Sequence, residues 1–533
     1  MPTLEWIGKD KVVNHDKEVP FRLLKEVRGK SLNGDDSENM IIHGDNLEAL
    51  KALLPHYAGK VKMIYIDPPY NTGNEGWVYN DRVNSPQMKS WLGKVVGGES
   101  DDLCRHDKWL CMMYPRLKVL RELLSDEGLI FISIDYHEQH HLNTVLNEIF
   151  GVNNYLGHLI WRGMHTVRNS AKDFNKNTEY VFCYSKMIDN LIIAGKRDTY
   201  LRSPMDKSSS YTKDDNDGRG PYKLDPISAR NFYTPYEVKF PNGVKWEAPK
   251  GSYPRYSKEN LLDMYEDNKL DFNGKEPRAK RYLKEVQKGI PPSTLLPNKE
   301  VGFNKDGTSL LSLIFPEIKA FDQPKPTQLI EYLFRIQREI DNNDGVYLDS
   351  FAGSGTTAHA VLNLNKEDGG NRKFILVEME DYADTITAER VRRVIKGYGN
   401  GNNKVEGTGG GFKYMELSEE PLFDRHGVIS TKATYGDLAN YIFFTETHNS
   451  IDRKKEKPKE GYLGEKGGVH YFLIFDGFPD LVFKNYLTEE FLETLDKFDG
   501  KKVVYADAVL LDDETLRERG IEFKQIPYEI KTF

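Results

Sequence analysis

The stretch MIYIDPPYNTG, Met63 to Gly73, sets the reading of the whole chain. Its apolar half has the length and continuity of a strand buried on both faces. It then stops on Asp67, Pro68, Pro69 and Tyr70. One explanation is local: Asp-Pro opens turns, prolines end a ladder by removing N–H donors, and a tyrosine can cover a strand end. The other is that the strand delivers a carboxylate and an aromatic ring to a site. The stretch alone does not separate the two.

The surroundings supply a pattern. Upstream, MIIHGDNLEAL joins a short apolar strand to Gly44-Asp45 and a helical repeat. Downstream, the spacing predicts a helix from about Trp109 to Leu124, bent or interrupted at Pro115, and then the strand GLIFISID ending at Asp135. Strands alternating with helices predict a parallel sheet covered on both faces. The rhythm fails from about Asn190 to Lys319, where short segments rich in Pro, Gly, Tyr and Lys predict a loop-rich insertion. Its Trp246, Tyr253, Arg255, Tyr256, Arg281 and Tyr282 suit either contacts to phosphates and bases or a small core of their own.

The α/β rhythm returns at Phe321. The expected organisation is an N-terminal arm (1–38), a first α/β part (39–189), the insertion (190–319), a second α/β part (320–398), a Gly-rich linker (399–412) and a small α/β C-terminal domain (413–533). In the last, a helix is predicted to start at Thr488 as N-cap. There is no internal repeat.

With 533 residues, 38% hydrophobic and 29% charged, the chain has the composition of a globular protein with two or three cores. Apolar runs such as Gly128–Ile134 are strand-length, and the charged N-terminus does not read as a signal peptide, so the expectation is no membrane association and a cytoplasmic location. Cys104, Cys111 and Cys183 form no zinc-type or disulfide framework, and no metal is expected. The net charge of −8 disfavours a chain wrapped all round by nucleic acid but allows a local basic face. Basic residues gather in Gly274–Gly289 and in ERVRRVIKGYG, Glu389–Gly399; either run could equally be a solvated helix face.

A second motif narrows the first. YLDSFAGSGTTA, Tyr347–Ala358, ends a strand at Asp349, turns through Gly353 and Gly355, and starts a helix. Glu378, twenty-nine residues past Asp349, closes the next strand. This is the arrangement that grips ribose hydroxyls in nucleoside-binding α/β folds. No Lys follows the glycines as in an ATP loop, and the third glycine of a dinucleotide fingerprint is missing. GKS at Gly29–Ser31 has Leu24 where a phosphate loop needs glycine, and GTGGGF at Gly407–Phe412 opens no helix. A nucleoside without a pyrophosphate cradle suggests S-adenosylmethionine. Ligands of parallel sheets sit beyond the carboxyl ends of strands at the switch point, so Asp67 and Asp349 can face one pocket. There Asp67 and a proline carbonyl can accept hydrogen bonds from an exocyclic amine, while Tyr70 stacks on an extruded base.

On these residues, together with EYVFCYSK, DNDGRGPY, RYLKEVQKG and FDQPKPTQLI in the same order, the chain resembles the β-class amino-group DNA methyltransferases, most closely the modification (Mod) subunits of type III restriction systems. The resemblance covers about Met40 to Tyr398. It implies a Rossmann-like S-adenosylmethionine-dependent sheet in circularly permuted motif order, carrying an inserted target-recognition domain. It implies that Asp67, Pro68, Pro69 and Tyr70 form the catalytic target-base site. Asp349, Phe351, Ala352, Gly353, Ser354, Gly355, Thr356 and Glu378 would line the cofactor pocket, with Lys325 and Asp45 nearby. Arg278, Lys280, Arg281 and Lys284 of the recognition region would contact double-stranded DNA. A homodimer and a separate restriction or helicase subunit are expected partners. Asp at the first motif position implies adenine N6 chemistry; cytosine N4 methylation and a catalytically silent recognition subunit are the alternatives. Cytosine C5 chemistry needs a nucleophilic Cys, usually before Pro, whereas Arg105, Met112 and Tyr184 follow the three cysteines. The segment from Lys413 onward carries no motif.

Overall fold

The computed structural model describes residues 3–72, 105–166, 174–191, 201, 210–230, 233–285, 291–336, 343–424, 426–452, 460–476, 485–528 and 530. The chain forms two compact units, Met1–Ile192 with Ser293–Phe533, and Ile193–Pro292.

The first unit is built on a nine-stranded sheet. Its strands in chain order are β1 (Arg22–Glu26), β2 (Met40–His43), β3 (Val61–Ile66), β4 (Leu124–Ile134), β5 (Tyr155–Trp161), β6 (Glu179–Ser185), β7 (Asp344–Asp349), β8 (Asn371–Glu378) and β9 (Lys413–Pro421). They lie in the order β1-β9-β2-β8-β7-β3-β4-β6-β5. The run from β9 to β4 is parallel, while β1, β6 and β5 join through antiparallel pairs. The central strands are continuous apolar runs because helices cover both faces: Ile64, Ile66, Leu348, Ile375 and Val377 are fully buried. The flanking helices are α1 (Asn46–Tyr57), α2 (Arg105–Leu123), α3 (Gln139–Phe150), α4 (Thr327–Arg335), α5 (Thr356–Asp368) and α6 (Glu389–Lys396). Helix α2 runs through Pro115 as one element, so the expected interruption is not there. It is buried without a break from Trp109 to Leu117, and packing outweighs the one backbone hydrogen bond that Pro115 cannot make.

The sheet extends beyond the expected boundaries at both ends. Within the expected N-terminal arm, Arg22–Glu26 belongs to the sheet, because β1 pairs with β9 as an edge strand. Strand β9 follows the glycine-rich stretch yet lies inside the sheet, between β1 and β2. Residues beyond it share the same core: Phe21 meets Tyr441 edge-to-face at 4.8 Å, and Leu438, Ile442 and Phe444 are buried in one cluster with Leu50 and Leu53 of α1. The glycine-rich stretch folds back on the residues before it, Val405–Glu406 pairing with Gly397–Tyr398. Further on, strands Val469–Leu473, Lys501–Ala506 and Ile521–Gln525 run parallel in a four-stranded sheet. The helix Glu489–Leu495 starts after Thr488 as expected, although the Thr488 side chain makes no cap hydrogen bond.

The second unit closes at Pro292, earlier than the expected insertion end at Lys319. Residues 293–319 belong with the sheet: Ile160 N–H donates to the Thr294 carbonyl (2.6 Å), and Leu296 N–H donates to the Ile160 carbonyl (3.0 Å). The second unit has its own core of Ile227, Val238, Phe240, Trp246, Leu261, Leu270 and Ala279. Trp246 belongs to that core and Tyr282 is fully buried, while Tyr253 and Arg281 are exposed.

Candidate active site

Strands β7 and β3 are adjacent and parallel, with Leu348 opposite Ile64. From β3 the chain proceeds through α2 to β4 on one side; from β7 it proceeds through α5 to β8 on the other. Their boundary is the switch point of the sheet, where a crevice opens beyond the carboxyl ends. Asp67 and Asp349 both line the cavity there, together with Tyr65, Phe321, Lys325 and Gly353.

The Asp67 carboxylate is held on both oxygens. Tyr70 donates its hydroxyl proton to Oδ1 (2.8 Å), and Lys325 Nζ lies 2.9 Å from Oδ2. Lys325 also reaches Glu179 (3.2 Å), and Tyr70 also donates to Glu179 Oε2 (2.9 Å). The Lys325 ammonium lies 4.9 Å from the Tyr70 ring centroid. Burial alone would lower the Lys325 pKa, but Asp67 and Glu179 outweigh it and hold the ammonium charged. Burial raises the Asp67 carboxyl, with Glu179 adding to the rise and Lys325 opposing it. Pro69 presents its carbonyl to Trp109 Nε1 (2.7 Å), which fixes the turn from behind.

Asn71 completes the anchorage. It adopts φ +57° and donates from Nδ2 to the Arg105 carbonyl (3.1 Å) and to Glu138. Glu138 is fully buried and takes both its other hydrogen bonds from histidines, His106 Nδ1 and His141 Nδ1, each at 2.7 Å. These three side chains have the residue types of a metal site. Their facing atoms are paired with one another, which makes them a hydrogen-bonded brace for the turn.

The glycine loop is equally constrained. Gly353 and Gly355 have φ +50° and +81°. A Cβ on Gly353 would meet the Phe321 ring at 3.0 Å, and one on Gly355 would meet the Thr387 carbonyl at 3.0 Å. Gly353 N–H donates to Glu378 Oε2 (2.8 Å), so the acid ending β8 closes the loop after β7. Asp349 accepts from Phe351 N–H (3.0 Å) and from the Thr357 hydroxyl (2.5 Å). Burial raises both Asp349 and Glu378 to about 7. Phe351, Ala352, Ser354 and Thr356 line the same cavity. Two buried acids and a backbone cradle with no basic side chain on the glycine loop fit a nucleoside carrying hydroxyl donors and no polyphosphate.

Three expected residues have other employment. Lys325 belongs to the Asp67 cluster as much as to the cofactor side. Asp45 caps α1, accepting from Leu47 N–H (2.9 Å) and Glu48 N–H (3.0 Å), and pairs with buried Arg116 at 3.4 Å. Lys280, expected at DNA, is turned into the second unit and pairs with Asp215 at 2.6 Å. Its Nζ also donates to Asn268 Oδ1 (3.3 Å) and lies 5.5 Å from the Tyr222 ring centroid, so the side chain is held within this unit. Arg278, Arg281 and Lys284 are exposed.

Sequence reasoning missed Glu179 and Arg390. Arg390 lies in a basic run that reads as a solvated face, yet it is fully buried. Its Nη1 donates to Ser354 Oγ (2.8 Å) and Thr356 Oγ1 (2.7 Å), bracing the glycine loop from beneath. Burial pushes its pKa down to about 9. The only sequence signal is the i, i+4 placement of Arg390 and Val394 on the apolar side of α6.

A parallel sheet with a glycine loop on one strand end and an Asp-Pro-Pro-Tyr turn on its neighbour defines an α/β methyltransferase. Residues 61–389 match the N6/N4 DNA methylase family model, and the chain belongs to that family. It is 31% identical over 515 residues to the type III restriction-modification enzyme StyLTI Mod subunit of Salmonella typhimurium, covering 89% of this chain and 76% of that one. The EcoP15I Mod subunit of Escherichia coli is 30% identical, over 71% of this chain and 64% of its own length, just under two thirds. The type II methyltransferase M.KpnI of Klebsiella pneumoniae is 32% identical, over 64% of this chain and 81% of its own. The fold, the resemblance and S-adenosylmethionine as cofactor stand as expected from sequence. No helix among the described residues is long and apolar enough to cross a membrane.

Proposed function

We propose that the protein methylates the N6 amine of adenine in double-stranded DNA, as the modification subunit of a type III-like restriction system. The observation that carries this reading is the convergence of Asp67 and Asp349 on one cavity, with Asp67 held by Lys325 and Tyr70.

When bound, S-adenosylmethionine supplies an electrophilic methyl group on a sulfonium. Glu378 and Asp349 would take its ribose and nucleoside polar groups, with Gly353 and Gly355 allowing close approach. An exocyclic amine is a poor nucleophile because its lone pair is delocalised into the ring. A carboxylate has about four lone-pair sites, so Asp67 can accept from the amine while retaining Tyr70 and Lys325. Trp109 engages the Pro69 carbonyl, which leaves that of Pro68 as the second acceptor. Both acceptors are in place before substrate arrives. The target base must leave the duplex to reach them, and the Tyr70 ring would stack on it.

Asp at the first motif position favours adenine N6 over cytosine N4. The second unit serves as the recognition region through exposed Arg278, Arg281 and Lys284, while Lys280 supports its fold. Double-stranded DNA, a second copy of the chain and a separate restriction subunit are the proposed partners, in a prokaryotic cytoplasm.

The test is incubation of the purified protein with labelled S-adenosylmethionine and mixed-sequence duplex DNA, followed by nucleoside analysis and modification-sensitive sequencing. N6-methyladenine at a defined site supports the reading. N4-methylcytosine would move the protein to the other chemistry of its family, and no label on any duplex would leave only a recognition role.

A further inference from the structure

We propose that Glu179 is a positioning residue for methyl transfer, one that leaves the acceptor site with a net negative charge matched to a cationic amine. The inference rests on the proposed role of Asp67.

Asp67 and Lys325 alone would make a neutral pair, with all of the ammonium's attraction directed at the carboxylate that must receive the substrate. Glu179 changes both facts. It takes a share of Lys325 at 3.2 Å and a share of the Tyr70 hydroxyl at 2.9 Å, drawing each partly off Asp67. Two carboxylates and one ammonium then sum to one negative charge in a site largely closed to water: the side chains of Asp67, Glu179 and Lys325 are 15%, 16% and 6% exposed.

That charge suits the reaction. The amine lone pair forms the new N–C bond while the S–C bonding pair returns to sulfur, so one positive charge moves from sulfur to nitrogen. The methylated nitrogen then loses one proton to the Asp67 carboxylate. A fixed negative cluster beside the nitrogen favours both steps, and such preorganised electrostatics are among the largest contributions to catalysis.

The protein builds a seat for Glu179. Asn304 Nδ2 donates to its Oε1 at 2.9 Å. A Cβ on Gly163 would lie 2.7 Å from Glu179 Oε1 and 2.8 Å from Asn304 Nδ2, so the missing side chain makes the approach possible. Glu179 begins β6, on the strand beyond β4, and is therefore brought to Asp67 across two strand spacings by sheet order alone.

The experiment compares Glu179→Gln, Asn304→Ala and Asp67→Asn with the parent protein, measuring kcat, KM for duplex and cofactor, and the pH profile of kcat. Glu179→Gln is expected to lower kcat about 100-fold, with cofactor affinity within about twofold. Asp67 faces Tyr65, Tyr70, Glu179, Lys325 and Asp349. Removing the Glu179 charge leaves Lys325 dominant, so the acidic limb of the profile is expected to move to lower pH. Asn304→Ala keeps every charge and frees only the seat; a smaller kcat loss of about fivefold is expected, which serves if Glu179→Gln does not fold. A kcat within threefold and an unmoved acidic limb in Glu179→Gln, or an unchanged kcat in Asn304→Ala, with Asp67→Asn inactive, would overturn the inference and leave the reading of the site intact. An active Asp67→Asn would overturn that reading itself.

Discussion

Asp67 and Asp349 are 282 residues apart in sequence, yet both line one cavity because β3 and β7 pair in parallel with Ile64 opposite Leu348. Under the proposed function, one strand pairing thus sets the donor and acceptor halves of the reaction. Substitutions on the two halves are expected to separate cleanly. Asp67→Asn should abolish methyl transfer, a loss of at least about 1,000-fold, while S-adenosylmethionine affinity measured calorimetrically stays within threefold. Weakened cofactor binding with preserved turnover would contradict the division.

Gly353→Ala tests the proposed donor half. The new Cβ meets Phe321 at 3.0 Å in a left-handed backbone, a strain of about 1–2 kcal/mol. Cofactor affinity is expected to fall about tenfold and the melting temperature by a few degrees. An affinity equal to that of the parent would show that the loop does not bear on the cofactor.

Glu378 connects binding to pH. Burial raises its carboxyl to about 7, so in the free protein it is partly protonated near neutrality. Ribose hydroxyls donating to Glu378 favour its ionised form. Cofactor binding near pH 6.5 is therefore expected to release protons, and affinity to rise between pH 6 and 8. Calorimetry in two buffers of different ionisation enthalpy measures the release, which should shrink in Glu378→Gln. The same count in parent and variant would remove Glu378 from the coupling.

The brace behind the turn has the opposite sign. Hydrogen bonding to Glu138 raises the His141 pKa, against a smaller desolvation. A histidine with a raised folded-state pKa contributes stability fully below its unfolded value of about 6.5, and that stability is lost as pH rises through the folded value. The melting temperature of the parent should exceed that of His141→Asn most at pH 5.5–6 and converge with it toward pH 8. A pH-independent difference would mean that the charge on His141 is not what holds Glu138.

In the second unit, Arg281→Ala and Lys280→Ala should fail in different ways. Arg281→Ala is expected to weaken DNA binding and reduce the slope of log affinity against log salt by about 1, leaving stability unchanged. Lys280→Ala breaks the pair with Asp215, which is about one-third exposed, and should cost about 1–2 kcal/mol of stability. Denaturant midpoints and salt titrations together distinguish them.

The turn at Asp67–Tyr70 and the loop at Gly353–Gly355 were legible because their chemistry is written in consecutive residues. Glu179 was not, because it meets Lys325 across 146 residues through sheet order, and EYVFCYSK taken alone is only an apolar strand. Lys280 and Arg281 are neighbours of equal charge, and only the folded partners Asp215 and Asn268, distant in sequence, decide that Lys280 is the buried one. Arg390 hides among arginines whose other members do meet carboxylates, Arg392 with Asp384 and Arg393 with Glu317. Strand β9 was hidden by the glycines before it, which look like a tether and instead lead directly into buried Phe412.

That strand governs how the chain can be cut and recombined. A fragment ending in the glycine-rich stretch would lose an interior rung of the sheet, leaving the 40–43 strand with an open edge and the 22–26 strand with no strand partner among the described residues. Chimeras that exchange C-terminal segments between relatives therefore need their junction after Phe423, so that each hybrid keeps one parent's complete sheet.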